Sequence, residues 1–384
     1  MGKYLLIVLV IVIFLAGCTN EAIHDIRLDN GIVNPLFNVT GQYDVYIAGA
    51  RFGDNELPTE WRNGVVTGFP DSGAVRSIFV VGGDVYAAGW VLAHKRSIAT
   101  YWKNRVSVHL SDTTDNVIAE SIFVSGGDVY ITGTALGNFK VEGALAGYTT
   151  HSSAILWKNG ARQSLSSPGY QYSVAKSVFV SGSDVYVAGG VLDPGNPLNL
   201  RATYWKNGSA FVLVDGAVPS SAQSVFVSGN DIYVAGTVHD SEANLFTLGE
   251  VYEFTTRPGE ATYWKNGKAV TLGTNCHAQS VFVLGNDVYI AGFALGADTT
   301  LSTPFGGFRN EIAMYWKNGK SVALDSSSYN SRATSIFISA DGAVHTCGYI
   351  NSKATYWKNT TATYIDPVSD YNGSFGFSIF LAQH

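Results

Sequence analysis

The chain is predicted to be an all-β, seven-bladed β-propeller. Each blade has four antiparallel strands, and the C-terminal strand closes the first blade. Three observations lead there: one four-element unit recurs seven times, its turns carry hairpin chemistry, and the repeat is out of phase with the chain ends.

The unit begins with a strand such as "SVFV", starting at Ser77, Ser121, Ser177, Ser224, Ser280, Ser335 and Ser378. A "DVYVAG"-type strand follows, from Asp44, Asp84, Asp128, Asp184, Asp231, Asp287 and, degenerate, Ala343. "ATYWKNG" comes third, with Trp61, Trp102, Trp157, Trp205, Trp264, Trp316 and Trp357. A short strand ends the unit, and the period of about 40–60 residues suits a propeller blade.

Gly82-Gly83, Gly126-Gly127, Gly182-Ser183, Gly229-Asn230 and Gly285-Asn286 are two-residue hairpin signals between strands one and two. Asn-Gly at Asn63, Asn159, Asn207, Asn266 and Asn318 calls for a type I′ turn between strands three and four. Asn104-Arg105, Asn359-Thr360 and Ala340-Asp341-Gly342 depart from this pattern, leaving their turn types open. Only the link from strand four to the next strand one is never short. Crossing a four-stranded blade takes about 14 Å, so strand one is innermost and strand four outermost.

The first complete element is a second strand, Asp44 to Gly49, and the last is a first strand, Ser378 to Leu381. Pairing these orphans closes the ring, which is expected to remove any free sheet edge. Strands such as "SVFVSGNDIYVAG" are nearly continuously apolar, as blades buried on both faces require. The seven tryptophans are expected to fill inter-blade space, the Asp residues of "DVY" to cap turns, and His345 to pack in the core.

Ahead of the repeats, "MGKYLLIVLVIVIFLAGC" has Lys3, then an apolar run of about 13 residues, too short to span a bilayer. It ends in Leu15-Ala16-Gly17-Cys18, which resembles the lipobox of bacterial lipoproteins. That resemblance implies a signal peptide over 1–17, lipid on Cys18 and a membrane anchor in the cell envelope, in the outer membrane if the cell is Gram-negative. Thr19 follows the cysteine in place of the Asp that marks inner-membrane retention. Residues 18–42 read as the lipidated cysteine and tether, and 43–384 as the propeller. The repeats themselves resemble those of uncharacterised bacterial lipoproteins, a likeness that implies the fold and brings no activity with it.

The 384 residues are 46% apolar and 14% charged with net charge −6 and no basic run, so there is no electrostatic footprint for nucleic acid. No Cys or His cluster has metal-site spacing, and Cys276 and Cys347 are expected to be buried thiols. "WKNGKS" ending at Ser321 fails as a phosphate loop, because Met314 stands where its first glycine belongs. No GxSxG, HExxH or EF-hand pattern occurs. No cofactor is expected, and a monomer is.

Two places vary within an otherwise constant unit. One is the position just before the inner strand: Arg76, Glu120, Lys176, Gln223, Gln279, Thr334 and Phe377. These residues should ring one mouth of the central channel. The other is the set of long connections between strands two and three, at 134–154, 190–201, 237–260 and 293–312, which share that face. They carry Phe139, Tyr148, Phe246, Tyr252, Phe254, Phe305 and Phe308 beside Glu250, Glu253, Arg257, Asp298 and Arg309. Aromatic faces with carboxylates and arginines suit a glycan or an envelope protein, bound without catalysis. The alternative is a polysaccharide hydrolase or lyase with Glu250 and Glu253 as acid and base.

Overall fold

A computed structural model describes residues 43–53, 56–136, 152–165, 172–193, 196–215, 218–239, 259–296, 310–325, 330–366 and 373–383. Within them the chain forms seven four-stranded antiparallel sheets, and each later blade follows the order of blade 2: Gly73–Val81, Asp84–Ala93, Arg96–Lys103, Val106–His109. The other inner strands are Asn116–Ser125, Ser173–Ser181, Ser220–Ser228, Cys276–Leu284 and Ser331–Ile338, in blades 3 to 7. Blade 1 consists of Tyr43–Phe52, Glu56–Arg62 and Val65–Gly68, and its inner strand is Gly373–Gln383.

Ring closure is therefore as the phase of the repeats predicts. Tyr43–Phe52 pairs with Gly373–Gln383 along its whole length, and Tyr46 lies opposite Phe380. The closing strand is pinned further by the Ser374 amide, which donates to the Ser352 carbonyl of blade 7. Next to it, Arg51 of blade 1 grips Asp366 of blade 7 through two bonds of 3.0 and 2.7 Å.

Each inter-blade space holds one apolar cluster, seven in all among the described residues. The seven tryptophans sit in them with at most 1% exposure. Adjacent strand residues face opposite ways, so Trp102 packs between blades 1 and 2 while Tyr101 packs between blades 2 and 3.

Closure does not remove every edge. It pairs the inner strand, but the outermost strand of each blade stays open on its rim side. These strands are protected by shortness: six of the seven have four residues, such as Val106–His109 and Ala161–Ser164, and the exception is Lys268–Thr274.

The turns follow their residues. Asn207 and Gly208 both take positive φ (51° and 83°), as does Asn104-Arg105 (49° and 67°) without a glycine. Gly182 has φ 61° and Ser183 no positive value, the type II′ pattern. Of Asn359-Thr360 only Asn359 is positive, so that turn is not type I′.

The Asp of "DVY" explains the rest of the motif. Asp184 pairs with Lys206 at 2.7 Å and accepts from the Asn207 amide at 2.8 Å, while the Asn207 carbonyl oxygen accepts from the Val185 amide. Equivalent clamps occur at Asp44, Asp84, Asp128, Asp231 and Asp287. They tie the turn after strand one to the turn after strand three, across the underside of the disc. The hydrogen bonds from Lys206 and Asn207 hold the Asp184 carboxyl below its usual range.

Blade 7 lacks this clamp, with Ala343 in place of Asp and His345 in place of Tyr. His345 is buried between Ser339 (3.1 Å) and Tyr356 (2.7 Å). Burial first, and the Lys358 charge second, depress its pKa from 6.5 to about 4. The folded state thus carries a neutral imidazole that the unfolded chain would protonate. Stability should be complete above pH 6.5 and fall as pH drops toward 4, by up to about 3 kcal/mol. Urea unfolding across that window tests it, with His345→Tyr expected to show a shallower fall.

Candidate functional site at the channel mouth

The seven variable positions converge as a ring, but inside the inner strand and not before it. Each inner strand begins four or five residues earlier than its "SVFV" segment suggests. In every blade the register slips at one residue: Arg76, Glu120, Lys176, Gln223, Gln279 and Thr334 are each skipped between the flanking pairs. Phe377 is skipped in blade 1. These are β-bulges, in which the extra residue has no cross-strand partner and is re-aimed away from the ladder. A residue free of pairing is free to vary, hence the mixture of charges, amides and an aromatic. The bulge also explains the constant glycine of "YVAG". A Cβ at Gly189 would overlap the Val174 carbonyl oxygen, and Gly89, Gly236 and Gly348 meet the equivalent oxygens.

The bulged residues form a continuous arc over four adjacent blades. The Phe377 ring lies under the Arg76 guanidinium at 4.5 Å, a cation–π contact. Glu120 comes next, and its Oε1 is 2.7 Å from Lys176 Nζ. Burial pushes the Glu120 carboxyl up, but the Lys176 and Arg76 charges outweigh it and hold the carboxyl below the ordinary range. Arg76 Nε is shut off from solvent and meets no acceptor among the described residues. Across the ring stand Gln223, whose amide reaches the Ser221 hydroxyl at 3.5 Å, and Gln279. Thr334 is committed to the backbone, donating toward the Gly376 and Cys347 carbonyls.

One residue deeper lies a circle of serines whose role the repeat alone does not disclose. The Ser77 hydroxyl accepts from the Ile122 amide of the next blade, and Ser121, Ser177, Ser224, Ser280, Ser335 and Ser378 do likewise. Seven inter-blade hydrogen bonds thus run round the channel in one sense. Two residues further is an aromatic collar: Phe79, Phe123, Phe179, Phe226, Phe282, Phe337 and Phe380, each 4.8–5.4 Å from its neighbours by ring centroid. Seven centroids at that spacing lie on a circle of about 5.7 Å radius, leaving a central opening of about 5–8 Å. The arrangement is a well with a polar lip and an aromatic floor.

The lip opens on the face where strand two meets strand three. Gly73 lies opposite Val91 and Ser173 opposite Val191, at the far end of the strands from the underside clamps. Blades 3, 5 and 6 carry long connections there, with stems ending at Leu136/Ser152, His239/Gly259 and Leu295/Glu311. The segment 190–201 is not a loop as expected. It is a β-hairpin in which Asp184–Asp193 and Asn196–Lys206 stay paired to their ends. Phe139, Tyr148, Phe246, Glu250, Tyr252, Glu253, Phe254, Arg257, Asp298, Phe305, Phe308 and Arg309 lie outside the described residues, as does Cys18.

Beneath this face runs a seam that the sequence did not reveal. His277 stacks on Phe293 (4.8 Å) and neighbours His239 (5.9 Å). Arg332 lies over the same Phe293 ring at 4.3 Å and binds Glu311 of blade 6 through Nε (3.0 Å) and Nη2 (2.6 Å). The Tyr349 hydroxyl donates to the same carboxylate, and its ring meets Phe375, which meets Phe52. The seam joins blades 5, 6, 7 and 1. Three carboxylates near this face, Glu120, Glu311 and Asp366, are each tied to a cation. Cys276 and Cys347 are unpaired buried thiols.

No family model matches the chain, and no curated protein matches it. Among solved structures, a Trypanosoma rangeli sialidase in complex with the inhibitor DANA aligns over 83% of this chain and 56% of its own, with 10% identity and a TM-score of 0.46. The chain thus spans little more than half of that sialidase. A computationally designed protein aligns over 88% of this chain and 90% of its own (13% identity, TM-score 0.42). An exo-1,5-α-L-arabinanase from a bovine ruminal metagenomic library aligns over 66% of this chain and 98% of its own (8% identity, TM-score 0.31).

Proposed function

We propose that the protein is a lipid-anchored binding protein of the bacterial cell envelope that recognises a glycan or protein, without catalysis, through its loop-rich face. The observation that carries this reading is the asymmetry of the disc. Its underside is fastened by six near-identical Asp–Lys/Arg–Asn clamps, whereas the opposite face gathers the long connections and the charged well. Tyr43, where the tether from Cys18 joins, pairs with Gln383 at the underside end of the closing strand. In this reading the tether joins on the side opposite the long connections.

Two measurements test the reading. Radiolabelled palmitate should enter the wild type and not Cys18→Ser. Purified residues 19–384 should bind in a screen of envelope polysaccharides and purified envelope proteins. The triple substitution Phe246→Ala, Tyr252→Ala, Phe305→Ala should weaken the bound partner by about tenfold or more. A partner held equally well by the triple variant would remove the loop face from the reading.

A further inference from the structure

We propose that the well at the channel mouth seats the carboxylate of a single uronic-acid residue against Arg76. This rests on the loop-rich face being the binding face. Of the three charged bulge residues two are cations and one an anion, on three consecutive blades. Glu120 is spent on Lys176 at 2.7 Å. Arg76 lies over Phe377 at 4.5 Å, with a buried Nε that has no acceptor among the described residues. A buried donor without an acceptor is costly, and a guanidinium presents a planar fork that matches a carboxylate.

The charge balance selects the ligand. A surplus of one positive charge neutralises a monoanion and would leave a phosphate dianion half compensated. The opposite arc, Gln223 and Gln279, is neutral and offers both donors and acceptors, the complement of vicinal hydroxyls. A uronic acid carries carboxylate and hydroxyls on one rigid ring, so little conformational freedom is lost on binding. The Phe collar lies three strand residues below the bulges, about 10 Å down, and narrows the axis there. The space above the collar accommodates one sugar unit.

The test is titration of the folded protein with D-glucuronate, D-glucose, inorganic phosphate and tri-alanine, followed by NMR. Glucuronate should bind, with glucose weaker by about tenfold or more. Arg76→Gln should weaken glucuronate by a similar factor. Glu120→Gln should strengthen it, because the competing carboxylate is gone and Lys176 is released. Glucose binding as well as glucuronate, preference for phosphate or for the tri-alanine carboxylate, no binding by the wild type, or indifference to Arg76→Gln would each overturn the assignment. Wild-type titration needs no variant to fold. Loss of partner binding in the Phe246/Tyr252/Phe305 triple with no glucuronate bound would sink the well alone. Glucuronate bound with no effect of the triple would sink the loop-face reading alone.

Discussion

A chain ending at Asp370 is expected to have no cooperative thermal transition and to associate at micromolar concentration. It lacks Gly373–Gln383, and with it ten paired positions along Tyr43–Phe52. Ile379 and Leu381 are buried in the cluster between blades 7 and 1, and Phe380 is one member of the collar. Removing a buried aliphatic side chain costs about 2–5 kcal/mol. Two of them approach the whole net stability of a domain, about 5–15 kcal/mol. The Ser335 hydroxyl also loses its donor, the Ile379 amide. The truncated chain would expose a ten-residue apolar edge, an open template for pairing. Adding a peptide of residues 373–384 should restore a melting transition. A truncated chain that melts within a few degrees of the wild type would contradict closure by this strand.

Arg332→Ala should be the most damaging single polar substitution, at about 3–5 kcal/mol, because it leaves Glu311 as a buried carboxylate facing no cation. Burial already pushes the Glu311 carboxyl up to about 7. Without Arg332 it should rise further above its unfolded value. A raised carboxyl means that the folded state takes up the proton first, so the cost should be largest near pH 8 and ease toward pH 5. The double variant Arg332→Met, Glu311→Met should be much milder, since replacing both members leaves no unpaired charge. Urea denaturation of the three proteins at both pH values separates these outcomes. A single variant as stable as the double would show that the pair contributes nothing by its charges.

Blade number, strand order and closing strand were legible because each rests on local chemistry repeated many times. Asn207-Gly208 can form only a few turns, and the orphan elements at Asp44 and Ser378 have no other place to go. The bulges were not legible. An unpaired residue leaves the apolar pattern around it intact, so Arg76 looked as if it preceded the strand that in fact contains it. The one available sign was the invariant glycine opposite, at Gly89 and its equivalents. The collar was hidden for a related reason: Phe179 is one apolar residue in a run of three, and nothing in "SVFV" separates a core phenylalanine from one facing the axis. The Glu311–Arg332 pair joins two blades, and where Arg332 stands other blades carry Ala74, Ile118 or Val174, so no repeat pattern announced it.

The phenylalanine collar also gauges the circumference. With neighbours about 4.9 Å apart, six rings would lie on a circle of about 4.9 Å radius and eight on one of about 6.4 Å. Gaining or losing a unit would therefore jam the axis or leave it gaping, even with every turn intact. Insertions that lengthen a hairpin at the rim leave that circle untouched, so this scaffold can diversify outward far more readily than it can change its symmetry.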